Sequence, residues 1–169
     1  HYGISFKILK EGNLWEFYVD ADWAGCPSTR KSTTGYIIRF MGGPLITVSR
    51  RQKNVTLSSC ESEYCAFTDI VKDIKWVKKL ASVLEIPFPT PAEIFNDNQT
   101  AQNLASGVAK LNRTKHIDAR YHFIKECTKL GIVELIHIPR NDNLADLFTH
   151  PVARAIHKQM RCDVLNLGK

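Results

Sequence analysis

The sequence predicts an α/β domain, a five-stranded mixed sheet flanked by helices on both faces. Two patterns and a composition carry that expectation. Three β-type segments come first, the second and third separated by a Gly-Gly-Pro turn, and helix-type and strand-type segments then alternate to the end. The helical segments repeat apolar residues every three or four positions, whereas the strand segments are short and β-rich. Of 169 residues, 44% are hydrophobic and 24% charged, which suits one domain with a real core and excludes a disordered chain.

Residues 1–13 are polar and irregular, with Gly3 and Gly12, and read as a lead-in to a domain spanning 14–169. Leu14 to Ala21 alternates. Trp15, Phe17, Val19 and Ala21 share one face, and Glu16, Tyr18, Asp20 and Asp22 the other. Thr34 to Phe40 and Leu45 to Ser49 read as a hairpin about Gly42-Gly43-Pro44. A long helix is expected from about Ser59 to Leu84, with Pro87 and Pro89 as its stop. Ala92 to Asn96 reads as a strand, and Gln99 to Ser106 as a short helix ended by Gly107. Ile117 to Leu130 is a second amphipathic helix, closed by Gly131. Ile132 to Ile138 is the fifth strand, Pro139 to Asn143 a loop, and a last helix begins at Leu144.

Lys and Arg total 23 against 17 Asp and Glu, so the net charge is +6, which suits a polyanionic partner. No apolar run reaches the roughly 18 residues of a membrane span, so no membrane partner is expected. Five Cys are scattered without a Cys-x-x-Cys pair, which disfavours a disulfide framework or zinc knuckle and points to a reducing compartment. The chain opens on His1 and reads as an excerpt of something longer.

Four carboxylates stand where burial should forbid unpaired charge. Asp20 lies near the carboxyl end of the first strand, and Asp97 directly follows the fourth; ligands bind at such strand ends in open α/β sheets. Counting back four residues from Phe67 in the stripe Phe67, Ile70, Ile74, Val77 reaches Glu63. Glu61 is turned about 200° from that face. Asp146 falls in the first turn of the last helix, on a face less clearly inward. Taken singly, each has an ordinary reading: Asp146 favouring a helix dipole, Asp97 capping a helix, Asp20 paired with a Lys, Glu63 solvated. Taken together they repel unless cations hold them. Hard oxygen ligands select Mg²⁺ or Mn²⁺, and two such ions are the usual device for phosphodiester cleavage.

The blocks around these residues resemble one family. They are Tyr18-Val-Asp-Ala-Asp-Trp-Ala-Gly25, Arg30-Lys-Ser-Thr-Thr-Gly-Tyr36, Ser58-Ser-Cys-Glu-Ser-Glu-Tyr64 and Asn96-Asp-Asn-Gln99. Arg113-Thr-Lys-His-Ile-Asp-Ala-Arg-Tyr-His-Phe-Ile-Lys-Glu126 and Ala145-Asp-Leu-Phe-Thr149 follow in order. The chain, over roughly residues 14 to 167, resembles the ribonuclease H domain of copia-type LTR retrotransposon polyproteins. The resemblance implies an RNase H-like fold and endonucleolytic hydrolysis of the RNA strand of RNA–DNA hybrids during reverse transcription. It implies metal ligands at Asp20, Glu63, Asp97 and Asp146, two Mg²⁺ or Mn²⁺ ions, and 5′-phosphate and 3′-hydroxyl products. The implied partners are the hybrid and the reverse transcriptase domain of the same polyprotein, with residues 1–13 as tether and no small-molecule cofactor. The implied location is intracellular, in a cytoplasmic virus-like particle with a nuclear stage.

The family usually carries Thr at Cys60, Cys at Asn96 and Lys at His150. The first two leave the ligands untouched and read as mild. His150, four residues after Asp146, is expected on the same helix face, where a protonated imidazole would support the Asp146 carboxylate; the alternative is a surface residue before Pro151. Asp22 shares a strand face with Asp20 and reads as an outer ligand or as structural. Cellular ribonucleases H have a His in the loop that is here Pro139-Arg-Asn-Asp-Asn143, which predicts slower product release or proton shuttling.

From Lys110 to Lys125, seven potentially cationic residues include Arg113, Lys115 and Arg120. They read either as a phosphate-binding stripe or as the solvated face of a helix whose core side is Ile117, Tyr121 and Ile124. Arg30, Lys31, Arg50, Arg51 and Lys53 add to that basic surface or serve as turn residues. His116, His122 and Cys127 are too few to argue zinc. A catalytically silent nucleic-acid-binding module is the rival reading; it predicts loss of a ligand carboxylate, and all four are present. A transposase or integrase would place its Glu last of the series, whereas Glu63 comes second.

Overall fold

β1 (Trp15–Asp22), β2 (Thr33–Phe40) and β3 (Gly43–Arg51) pair antiparallel, and β4 (Ala92–Asn96) and β5 (Val133–His137) add in parallel beyond β1. The order across the sheet is β3-β2-β1-β4-β5, so β1 is central, as a mixed sheet built from a hairpin and crossovers requires. The computed structural model describes residues 3–7, 13–99 and 115–167. Among them are three α-helices, α1 (Ser59–Val83), α2 (Lys115–Lys129) and α3 (Arg154–Leu165), and two 3₁₀ turns, Arg140–Asp142 and Leu144–Phe148. The helix expected from Gln99 to Ser106 lies outside the described residues beyond Gln99.

One sheet face presents Trp15, Phe17 and Val19 to α1 and α2, where Phe67, Ile70, Ile74, Val77, Tyr121 and Ile124 are buried. Each large apolar side chain buried this way contributes roughly 1.5–3 kcal/mol. The other face packs Ile37 and Tyr18 against Leu144, Leu147, Phe148 and Val164. Helices α1 and α2 thus cover one side, and the Leu144–Phe148 turn with α3 covers the other.

Local chemistry fixes the ends of α1. Ser58 accepts from Glu61 N at 3.2 Å, and the Glu61 carboxylate accepts from Leu57 N at 2.7 Å, a reciprocal cap. Glu61 is therefore spent on the helix start, while Glu63, two residues on, is buried. The helix stops before its prolines. Glu85 turns left-handed (φ 57°), and Ile86 N reaches Ala81 O at 2.9 Å. Gly131 (φ 63°) ends α2 in the same manner, with Ile132 N on Cys127 O at 2.9 Å.

One expectation needs correction. The last helix is not continuous from Leu144: the 3₁₀ turn ends at Phe148, and α3 starts only at Arg154. Pro151 explains the break, because it lacks an N–H and drives His150 out of the α region. Within the lead-in, Ser5 N donates to Leu165 O (3.1 Å) and Lys7 N to Met41 O (2.9 Å). Gly35, the cross-strand partner of Asp20, lets the Leu144–Phe148 turn lie close: a Cβ there would sit 2.5 Å from Thr149 Cγ2 and 3.0 Å from Ala145 O.

Candidate active site

All four carboxylates converge at the carboxyl end of the sheet. Asp20 lies near the end of β1, Asp97 one residue past β4, Glu63 in the second turn of α1, and Asp146 midway through the Leu144–Phe148 turn. Asp20, Glu63 and Asp146 are only 7%, 4% and 7% exposed, and Asp97 is half-buried. Asp20, Glu63 and Asp97 line one cleft of about 360 Å³ with Asp22, Arg140 and His150. Ligand oxygens of Asp20 and Asp146 and a His150 ring nitrogen lie within 4.8 Å of one another.

Burial, and then neighbouring charge, raises the proton affinity of Asp20, Glu63 and Asp146. Burial pushes the Asp20 carboxyl up to about 6, against a hydrogen bond from Thr149, and the charges of Asp146 and Asp97 push the same way. Burial holds Glu63 well above the usual carboxylate range, with the Asp20 charge adding to it. Asp146 is also raised by burial, which the Arg140 guanidinium opposes.

That donor set fits divalent cations. Asp146 Oδ1 is buried with no hydrogen-bond partner, an acceptor left for something else. Among the described residues, Arg140 is the one Lys or Arg recorded within ion-pair reach of the four, with Nε 3.1 Å from Asp146 Oδ2. One guanidinium does not neutralise four clustered carboxylates, and an all-oxygen set suits Mg²⁺ or Mn²⁺.

His150 lies beside the Asp146 carboxylate without hydrogen-bonding it. Arg140, not His150, hydrogen-bonds Asp146; His150 Nε2 is 4.0 Å from Asp146 Oδ2 and 3.2 Å from Arg140 Nη2. The Thr149 hydroxyl donates to Asp20 Oδ2 and lies 3.0 Å from His150 Nδ1. The imidazole lies between the Arg140 guanidinium at Nε2 and the Thr149 hydroxyl at Nδ1. His150 is thus in reach of Asp146 directly and of Asp20 through the Thr149 hydroxyl. Asp22 reaches the cleft, but its carboxyl group folds over Gly25, where a Cβ would lie 1.6 Å from Asp22 Oδ2.

The basic residues divide. Arg30 is exposed in the β1–β2 connection and Lys31 half-buried beside it; neither lines the cleft. Arg120 contacts Cys65 Sγ and joins Arg50, Arg51, Lys53 and Lys72 around a separate pocket of about 340 Å³. Arg113 and the Lys115 side chain lie outside the described residues. Sequence reasoning missed Thr149 and Asn143, and it read Asn96 as mild although its amide is buried against Glu63. Position was the available signal: Asn96 and Thr149 lie one residue before and three residues after a flagged carboxylate, and Asn143 caps the turn that carries Asp146.

No protein-family model matches the sequence. It is 39% identical over 153 residues to the retrovirus-related Pol polyprotein from transposon TNT 1-94 of Nicotiana tabacum, a match covering 90% of this chain. The chain belongs to the transposon Pol polyproteins. This Pol segment covers 11% of that relative's length. Its fold is that of ribonuclease H: it superposes on LC11-RNase H1, isolated from compost, with a TM-score of 0.61 at 19% identity, covering 82% of this chain and 94% of that one. The same enzyme in complex with an RNA/DNA hybrid gives 0.58 at 17% identity, covering 80% and 93%.

Proposed function

We propose that this Pol segment is a ribonuclease H that cuts the RNA strand of RNA–DNA hybrids during reverse transcription, leaving 5′-phosphate and 3′-hydroxyl ends. The observation that carries it is the gathering of Asp20, Glu63, Asp97 and Asp146 at one sheet end, with Arg140 the one arginine paired with them among the described residues. The fold and the Pol relatives agree with that reading.

In this reading the four carboxylates hold two Mg²⁺ or Mn²⁺ ions. Bound there, the ions supply Lewis acidity and charge neutralisation for in-line attack of water on a phosphodiester. The chain's own part is positional. Thr149 fixes one Asp20 oxygen, leaving the other lone pairs for a cation. Arg140, largely exposed beside the cleft, is placed to meet phosphate charge. Discrimination for RNA falls to contacts with 2′-hydroxyls across the shallow minor groove. The polymerase domain of the same polyprotein is the proposed partner.

The test is incubation of end-labelled RNA–DNA hybrid, RNA duplex and DNA duplex with Mg²⁺ or Mn²⁺. Cleavage of the hybrid's RNA strand alone, abolished by Asp97→Asn, supports the proposal; cleavage that survives the substitution removes it.

A further inference from the structure

The main-chain carbonyl of Val19, one residue before Asp20, is taken by two side chains from opposite flanks. Asn96 Nδ2 donates to it at 2.9 Å and Asn143 Nδ2 at 3.1 Å. Both asparagines are fully buried, in a protein where buried amides must find partners. Each amide also reaches a carboxylate: Asn96 Nδ2 lies 3.3 Å from Glu63 Oε2, and Asn143 Nδ2 lies 3.3 Å from Asp97 Oδ1.

The amide oxygens are committed too. Asn96 Oδ1 accepts from Asn98 N at 2.9 Å, and Asn143 Oδ1 accepts from Ala145 N at 3.1 Å. Flipping either amide would face an oxygen toward both the Val19 carbonyl and a carboxylate, so the orientation is fixed by chemistry. Aspartate would set a fresh negative charge against Glu63 or Asp97.

Topology supplies the opening. The β1–β4 register ends at the Tyr18–Phe95 pair, whereas β4 continues with β5 to the Asn96–His137 pair. Beyond Tyr18 the two central strands part, and side chains take the next carbonyl of β1. That parting makes room for the carboxylates, and the two amides pin its edges.

We propose that Asn96 and Asn143 are positioning residues that clamp the Val19 carbonyl and thereby set Glu63 and Asp97 relative to Asp20 for cation binding. The inference rests on the ribonuclease reading. Residues that orient a metal's ligands typically change affinity 10–100-fold when lost. Glu63 and Asp97 would each lose a fixed donor on truncation of the matching asparagine, while Asp20 would keep its Thr149 bond.

The experiment measures Mn²⁺ affinity by the electron-spin-resonance signal of free Mn²⁺, in the parent chain and in Asn96→Ala and Asn143→Ala, each checked for folding by circular dichroism. Folded variants that bind Mn²⁺ at least tenfold more weakly support the clamp; affinity within twofold of the parent overturns it. A residue that only stabilised the fold would lower the melting temperature and leave the affinity of the folded protein alone. Should the alanine variants not fold, Asn96→Cys and Asn143→Ser are read by the same criterion. The parent also decides by itself: side-chain amide protons of Asn96 and Asn143 that exchange as fast as those of an exposed asparagine overturn the clamp, and slow exchange supports it. If the parent cleaves hybrid and the variants keep their affinity, only the clamp fails; if the parent neither binds Mn²⁺ nor cleaves, the ribonuclease reading fails and takes the clamp with it.

Discussion

Thr149 donates its hydroxyl proton to Asp20 Oδ2, joining the turn after Asp146 to the end of β1. That bond favours the ionised carboxyl, against burial and the charges of Asp146 and Asp97. Thr149→Val keeps the shape and removes the donor. The Asp20 carboxyl then rises further above about 6, so protons compete with cations up to higher pH. The acid limb of the pH profile for hybrid cleavage is expected to move to higher pH, with activity at alkaline pH largely retained. An unmoved limb would contradict this role.

Without cations, the carboxylate cluster opposes folding. The Asp20 carboxyl is raised in the folded chain from an ordinary 3.8 to about 6, so the folded state holds the proton more tightly than the unfolded one. Its contribution to stability is complete below about pH 4 and is lost as pH rises through about 6. The shift corresponds to about 3 kcal/mol at most. Melting in EDTA at pH 5 and pH 7.5 checks this: Asp20→Asn is expected to raise the melting temperature at pH 7.5 more than at pH 5. Mg²⁺ is expected to stabilise the parent chiefly at the higher pH.

Gly35→Ala tests the approach of the Leu144–Phe148 turn to the sheet. The added methyl meets Thr149 Cγ2 and the Ala145 carbonyl, and backbone cannot yield cheaply. Overpacking of this kind costs about 1–3 kcal/mol, and it displaces the residue that bonds Asp20. Urea denaturation should show the loss of stability, and hybrid cleavage should fall by more than the unfolded fraction explains.

Much of this was legible in the sequence because periodicity is a local signal. The alternation through Phe17 and Val19 and the stripe from Phe67 to Val77 gave the central strand and long helix, and the same stripe separated Glu63 from Glu61. The break between Phe148 and Arg154 was missed because apolar spacing through Leu144, Leu147 and Phe148 outweighed the single Pro151. The polar frame around the carboxylates was least legible. Asn143 meets Val19 across 124 positions and Thr149 meets Asp20 across 129, and no spacing rule links residues so far apart.

The central claim is that Asp20, Glu63, Asp97 and Asp146 are gathered to share divalent cations. Anomalous diffraction from crystals grown with Mn²⁺ tests it without recourse to catalysis. Two peaks roughly 4 Å apart among the four carboxylates, vanishing in Asp97→Asn or Glu63→Gln crystals, are the predicted result. An ordered cleft free of anomalous density at millimolar Mn²⁺, with the carboxylates bonded only to protein groups, would contradict it.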